Sequence, residues 1–464
     1  MSIARLPTGC VLFALDALIA CSIWPALLAV AQPAMLAAGD PRTMLYPAAD
    51  LLVLYAMGLY RRDAMVERMR SLARIPLVVG LGAALAVCTS LALLILFPGF
   101  EPPPAHDQAQ VFAIATVCFT ASAYLARALL SGLLARRLLR RKLLVVGAGE
   151  RAWDLLFMLR KEGNSLEYEV ALLHDPVFGP ADPRLAADNA LLRLQGQDVL
   201  AAARHVGADQ IIVAPDERRG MNVMHLLECK VAGFPVLQYL SFVEKEIRRV
   251  DLKRMEPGWL VYSDGFSFDA IDRFLKRIFD IAISSALLLL ATPLLLGAML
   301  AIRTEGPGPI FYRQERVTRN GRVFSILKLR TMRVDAEASG AVWARERDNR
   351  ITRAGAFLRR SRIDELPQLW NVLKGEMSFV GPRPERPMFV DDLATRIPLY
   401  RERHIVKAGL TGWAQINYPY GASIDDARSK LSYDLYYVKN FSILFDFVIL
   451  LQTLRVVLWP SGVR

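Results

Sequence analysis

Apolar and polar positions divide the chain into four stretches of different period. Residues 8–31, 44–60, 75–97 and 109–134 are apolar runs long enough, or nearly so, for helices across a hydrocarbon core of roughly 30 Å. They predict a four-helix transmembrane bundle over residues 1–136. The segments RRDAMVERMRSLAR after the second run and ARRLLRRK after the fourth are rich in arginine, whereas FPGFEPPPAHDQ after the third has no Lys or Arg. By the positive-inside rule both ends of the bundle are cytoplasmic. Asp16 and Asp50 fall within runs and are expected to face the bundle interior.

From Arg141 short β-rich runs alternate with helical ones: KLLVVGAGERAWDLLFMLR, EVALLHD, DVLAAARHVGADQIIVAP and MNVMHLLECKVAGFPVLQY. That alternation predicts a Rossmann-like parallel α/β domain over residues 137–240. Gly147-Ala148-Gly149-Glu150-Arg151-Ala152 approximates a dinucleotide fingerprint, with Asp175 near the end of the second strand. A bound nucleotide and a purely structural or regulatory domain both remain open. A charged connector is expected over residues 241–272, punctuated by Pro257-Gly258.

The last stretch, 273–464, opens with another long apolar run, 278–302, interrupted by Pro293. Basic residues flank both ends: Arg273, Lys276 and Arg277 before it, Arg303, Arg313 and Arg316 after it. That symmetry opposes crossing and predicts a re-entrant helix over 274–303 that bends at Pro293 and returns to the cytoplasmic face. The run 441–459 is broken by Asp446 and Arg455 and reads as an amphipathic helix on the membrane surface or the domain core.

Composition narrows the reading. Of 464 residues 54% are apolar and 22% charged, with mean hydropathy +0.29, so the apolar excess lies in membrane segments. The net charge of +12 suits anionic lipid or phosphorylated substrates. Nucleic acid is disfavoured, because the basic residues flank apolar runs and acid pairs instead of forming aromatic-interleaved stripes. The five cysteines and five histidines show neither a disulfide framework nor metal-ligand spacing, and His404 reads as a surface or core residue.

Candidate chemistry concentrates in RIDELPQLWNVLKGEMSFVGPRPE, residues 362–385. Asp364 and Glu365 precede Pro367, and Leu366, Leu369, Trp370 and Leu373 recur at helical spacing, placing the acid pair at a helix N-terminus. The macrodipole there favours an ionised Asp364, available as nucleophile or metal ligand. Gln368 and Asn371 share its polar face. Arg359, Arg360 and Arg362 crowd the pair, and Gly381-Pro382-Arg383-Pro384 presents another guanidinium. Carboxylates among arginines suit a phosphate diester or anhydride bridged by a metal ion.

From Arg273 to the C-terminus four segments in order resemble the bacterial sugar transferases, the large monotopic polyprenyl-phosphate hexose-1-phosphate transferases (phosphoglycosyl transferases). They are KRIFDIAISSALLLLATPLLL (276–296), GPGPIFYRQERVTRNGRVFSILKLRTM (306–332), the acid-pair segment, and GLTGWAQIN (409–417). WLVYSDGF (259–266) and PYGAS (419–423) are similar to the exosortase-associated exopolysaccharide branch. The resemblance implies a membrane protein whose third part is a monotopic transferase domain with a re-entrant membrane helix, Thr292-Pro293 standing at its bend where members often have Ser-Pro. It implies transfer of sugar 1-phosphate from a UDP-sugar, by family usage UDP-glucose or UDP-galactose, to undecaprenyl phosphate at the bacterial inner membrane. Asp364 resembles the nucleophile that forms a covalent phosphosugar intermediate, and Glu365 the partner carboxylate that helps hold Mg²⁺. Lys328 and Arg330 match a family strand near the site, Leu329 standing where Phe is commoner, and could neutralise diphosphate oxygens. Arg359 and Arg383 are candidate phosphate ligands, Gln368 a substrate contact, and Arg313 part of a partly structural motif. Asp434, Tyr436 and Tyr437 are open between sugar and core contact. Ala408 stands where members usually carry Pro.

Two other functions compete. A membrane nucleotide-sugar dehydratase needs a Tyr-x-x-x-Lys pair in the Rossmann-like domain, and none occurs between residues 141 and 260. A non-catalytic scaffold for polysaccharide assembly is opposed by the intact Asp364, Glu365, Arg383 and Lys328. The architecture is compatible with a homodimer.

Overall fold

The computed structural model describes residues 8–31, 42–60, 78, 80–82, 84–85, 105–135, 140–161, 167–186, 192–195, 198–217, 219, 221–266, 269–333, 350–418, 421 and 423–458. They form two units, Met1–Ile247 and Arg248–Arg464.

In the first unit, apolar helices α1 (Thr8–Ala31), α2 (Arg42–Ala56) and α3 (Ala105–Ala135) cover three of the expected membrane runs. The expected third span, 75–97, lies almost wholly outside the described residues. Both acids of these runs, Asp16 and Asp50, are buried and paired. Asp16 meets Arg127 at 3.0 Å, joining α1 to α3, and Asp50 accepts a 2.8 Å hydrogen bond from the Trp24 indole. An unpaired carboxylate there would be costly, which accounts for the partners.

The rest of this unit is a five-stranded parallel sheet, in order β3-β2-β1-β4-β5. Its strands are β1 (Arg141–Val146), β2 (Tyr168–His174), β3 (Leu192–Gln195), β4 (Gln210–Val213) and β5 (Val236–Gln238). Helices α4 (Glu150–Lys161), α5 (Val199–Val206), α6 (Val223–Val231) and α7 (Tyr239–Ile247) connect or follow them. Leu144, Val146, Ala171, Leu173 and Ile211 pack with Ala202 and Cys229 in one core, as expected of strands covered by helices.

The second unit is organised on α8 (Ala270–Thr304), one of two helices among the described residues long and apolar enough to cross a membrane. Asp280, Ser284, Leu295, Ala298 and Ile302 are buried, and Leu288 and Ala291 partly so. At spacings of three and four these residues make one stripe along the helix, packed on the unit. Leu289, Leu290, Leu294, Leu296 and Leu300 on other faces are exposed. Pro293 lies inside the helix without ending it, and the Thr292 hydroxyl donates to the Leu288 carbonyl at 2.8 Å.

An antiparallel ribbon follows, β6 (Phe311–Val317) with β7 (Val323–Leu329). Next come α9 (Arg353–Arg360) and α10 (Gln368–Lys374), then strand β8 (Ser378–Val380), which pairs in parallel with β9 (Gly409–Thr411). Helices α11 (Ile424–Lys439) and α12 (Ile443–Leu458) close the unit around Leu369, Val372, Met377, Phe379, Trp413, Tyr437 and Ile449. Asp446 of α12 is fully buried against Lys276 of α8 and the Tyr437 hydroxyl, so that polar break in the apolar run is internal. Of the stretch expected as connector, 241–272, residues 241–247 belong to α7, whereas Val250 joins Val317, Leu393 and Leu431 in the second unit's core.

Candidate active site

Helix α9 ends at Arg360, and the chain reverses through Ser361 and Arg362, whose φ of +59° is a left-handed conformation rare for a side chain of this size. The acid pair therefore lies in a 3₁₀ turn, Ile363–Glu365, ahead of Pro367, and α10 starts only at Gln368. Sequence spacing had put it in the first turn of that helix. The difference matters electrostatically. Asp364 is buried, and burial together with the neighbouring Glu365 charge pushes its carboxyl up to about 6, against the pull of Lys328, Arg359 and Arg362. Desolvation, which periodicity cannot register, outweighs the helix dipole.

Glu365 is the opposite case. Burial raises its pKa, but Lys328, Arg383 and Arg362 reverse the effect and hold it well below the carboxylate range. Its Oε1 accepts from Lys328 Nζ at 2.9 Å and from Arg383 Nη2 at 3.2 Å, and Arg362 stands 3.7 Å from Oε2. Asp364 has neither a hydrogen bond nor an ion pair among the described residues. One carboxylate is thus a fixed charge among cations, and its neighbour keeps both oxygens without a hydrogen bond or ion pair among the described residues.

Each cation comes from its own element. Lys328 projects from β7. Arg359 lies in the last turn of α9, its guanidinium without a hydrogen bond or ion pair among the described residues and close enough to favour the charged form of Asp364. Arg383 leaves the Gly381-Pro382-Arg383-Pro384 turn, which is packed backbone to backbone: Gly381 N donates to Thr411 O at 2.9 Å, and a Cβ at Gly381 would lie 2.3 Å from Lys407 O. The Arg383 carbonyl accepts from Arg403, whose guanidinium also pairs with Asp434 at 2.7 Å. Asp434 is therefore a buried core partner, and so is Tyr437. The Gln368 amide, one turn beyond Asp364, is buried, and its Nε2 has no partner among the described residues.

Two candidates lie elsewhere. Arg330 spends its guanidinium on the carbonyls of Ile302, Gly306 and Pro307 at the end of α8, a favourable place for a cation. Arg313 is exposed on the ribbon face opposite Tyr312, Gln314 and Arg316, because alternate residues of a strand point apart. Arg316 is the residue sequence reasoning missed: half-buried, it bonds Gln314 and feels Glu385, Arg383 and Arg386. The alternation of RQER was the signal that could have found it.

Mg²⁺ binds through one or two carboxylates plus substrate phosphates. Among the described residues no group of three or more His, Cys, Asp and Glu could hold a metal ion. Asp364 has open oxygens and Glu365 Oε2 has only a distant cation, so the pair fits an ion completed by phosphate oxygens.

In the first unit the fingerprint turn is already filled. Asp216, after β4, accepts from Glu150 N at 2.7 Å and Arg151 N at 3.0 Å, the helix N-terminus at which a dinucleotide diphosphate would bind. Asp175 caps Val177 N at 3.0 Å.

The family model described as "Bacterial sugar transferase" matches residues 271–460. A UDP-N-acetylgalactosamine-undecaprenyl-phosphate N-acetylgalactosaminephosphotransferase of Aeromonas hydrophila is 38% identical over 289 residues, 62% of this chain and 67% of that protein. A UDP-glucose:undecaprenyl-phosphate glucose-1-phosphate transferase of Caulobacter vibrioides is 42% identical over 180 residues, 38% of this chain and 67% of that protein. An exopolysaccharide production protein of Rhizobium leguminosarum is 42% identical over 192 residues, 39% of this chain but 94% of that protein.

Proposed function

The chain belongs to the bacterial sugar transferases, and we propose that Asp364 carries their reaction here as a covalent nucleophile. The enzyme moves sugar 1-phosphate from a UDP-sugar to undecaprenyl phosphate and initiates polysaccharide synthesis. The observation behind the proposal is the asymmetry of the acid pair: Glu365 is locked between cations, and Asp364 is buried without a hydrogen bond or ion pair among the described residues.

An Asp364 oxygen attacks the phosphorus that bears the sugar, the phosphoanhydride bond breaks, and UMP leaves with that bond's electrons. The resulting acyl phosphate is then attacked by an oxygen of undecaprenyl phosphate, which returns the Asp364 carboxylate and yields undecaprenyl-diphosphate-sugar. Arg359 and Gln368 supply donors to the transferring phosphoryl group, and Lys328 and Arg383 face the charge that develops on it. Mg²⁺, held by Asp364, Glu365 and diphosphate oxygens, would supply charge neutralisation. The donor is a UDP-hexose; UMP release across UDP-glucose, UDP-galactose and UDP-N-acetylgalactosamine identifies the sugar.

The membrane reading is that α8 enters and leaves by the cytoplasmic face and that the N-terminal helices form a multi-pass bundle. Its support is that both ends of α8 contact the same unit, Lys276 meeting Val380 and Asp446, and Ile302 meeting Arg330. A helix that crossed the bilayer would have to carry packed parts of this unit to both sides.

Incubation with radiolabelled UDP-sugar tests the nucleophile. Wild-type protein should yield label in the lipid extract and, without acceptor, on the peptide containing Asp364; Asp364→Asn should yield neither. Lipid label that persists in Asp364→Asn would sink the reading.

A further inference from the structure

We propose that Asn371 is the positioning residue for Lys328: its side-chain amide stands in for a missing strand beside β7 and so fixes where the Lys328 ammonium meets Glu365. This rests on the reading of Lys328 as a charge-neutralising group in the transfer.

Among the described residues the sheet containing β7 has two strands, so one edge of β7 has no strand partner there. On that edge Leu327 N–H donates to Asn371 Oδ1 at 2.9 Å, and Ser325 C=O accepts from Asn371 Nδ2 at 2.9 Å. A carboxamide has the donor and acceptor of a peptide group, and here it makes the two bonds that one residue of a neighbouring strand would make. The second Nδ2 proton goes to Glu376 Oε2 at 2.6 Å, which fixes which end of the amide is nitrogen. Asn371 is 3% exposed, so no water replaces these bonds.

The consequence reaches the site through register. Lys328 follows Leu327, and a slip of β7 by one residue would turn its side chain to the other face of the ribbon. Asn371 belongs to α10, and the acid pair lies just before that helix begins. The amide therefore ties the strand carrying Lys328 to the segment carrying Glu365, and the 2.9 Å Lys328–Glu365 contact follows.

A double-mutant cycle on the full-length protein separates this from plain structural support. Asn371→Ala and Lys328→Arg should each lower kcat about 30-fold while KM for the UDP-sugar moves less than about threefold. The double variant should fall no more than about twofold below the weaker single, because both changes act through one ammonium. Multiplicative losses would overturn the inference and leave Lys328's role standing, and so would full kcat in Asn371→Ala. Full kcat in Lys328→Arg would remove both. Should Asn371→Ala fail to fold, hydrogen exchange on the wild-type enzyme decides: the Leu327 amide should exchange as slowly as the paired amides of the ribbon, and exchange at an open-edge rate overturns the inference.

Discussion

At the level of single residues the acid pair is two carboxylates with opposed electrostatics, and this makes two measurable statements. Asp364 must be ionised to attack phosphorus, and its pKa is pushed up to about 6. The rate of the first half-reaction, read as UMP release without acceptor, should therefore fall below pH 6 with a slope of one proton. Stability runs the other way. The native state holds a proton on Asp364 that the unfolded chain gives up near pH 4, so this group's penalty appears as pH rises from about 4 to about 6 and persists above. Asp364→Asn removes that penalty. It should be inactive by about a thousandfold or more, yet at pH 7.5 more stable by roughly 2–3 kcal/mol in denaturant unfolding, a gain absent below pH 4. The carboxylates were legible as a pair; which one stays open was not, because Lys328 and Arg383 are 37 and 18 residues from Glu365 in the chain.

At the level of elements the site depends on close backbone contact. Gly355 of α9 lies against Thr331, and an added Cβ would fall 2.1 Å from the Thr331 carbonyl oxygen. Gly355→Ala must push α9 off the end of β7 and carry Arg359 and the acid pair with it. It should cost roughly 2–4 kcal/mol in chemical denaturation and lower kcat in the protein that remains folded. Glu305 marks the same junction: it follows α8 and accepts from Ala354 N at 2.7 Å, capping α9. Helix α8 itself was legible from hydropathy and flanking charge. Its stripe of Asp280, Ser284, Leu295, Ala298 and Ile302 was harder to see, because an all-apolar helix has little amphipathic contrast to show which face meets protein. Single cysteines at Arg273 and Arg303, in a background without native cysteines, should both be labelled only from the cytoplasmic side.

At the level of the whole molecule the two units carry different burdens. The Rhizobium relative is matched along 94% of its length by only 39% of this chain, and the transferase family model covers residues 271–460. A fragment of residues 248–464, reconstituted in lipid, should therefore still move label from UDP-sugar to lipid. The Rossmann-like sheet has the topology of a nucleotide domain, but Asp216 occupies the phosphate position with the chain's own carboxylate. NAD⁺ should leave the melting temperature and the amide exchange of residues 147–151 unchanged.

The sequence alone determined the kinds of element and the chemistry. Apolar length marks membrane helices, alternation marks a parallel sheet, and Asp364, Glu365, Lys328 and Arg383 stand in segments whose resemblance names the reaction. These are local properties, fixed by neighbours a few residues apart. Tertiary structure decided how each charge is spent: Arg330 on the end of α8, Asp434 on Arg403, Glu365 on two distant cations, and Asp364 on none among the described residues. The energy of a charge depends on what replaces its water, and the chain supplies that only once it has folded.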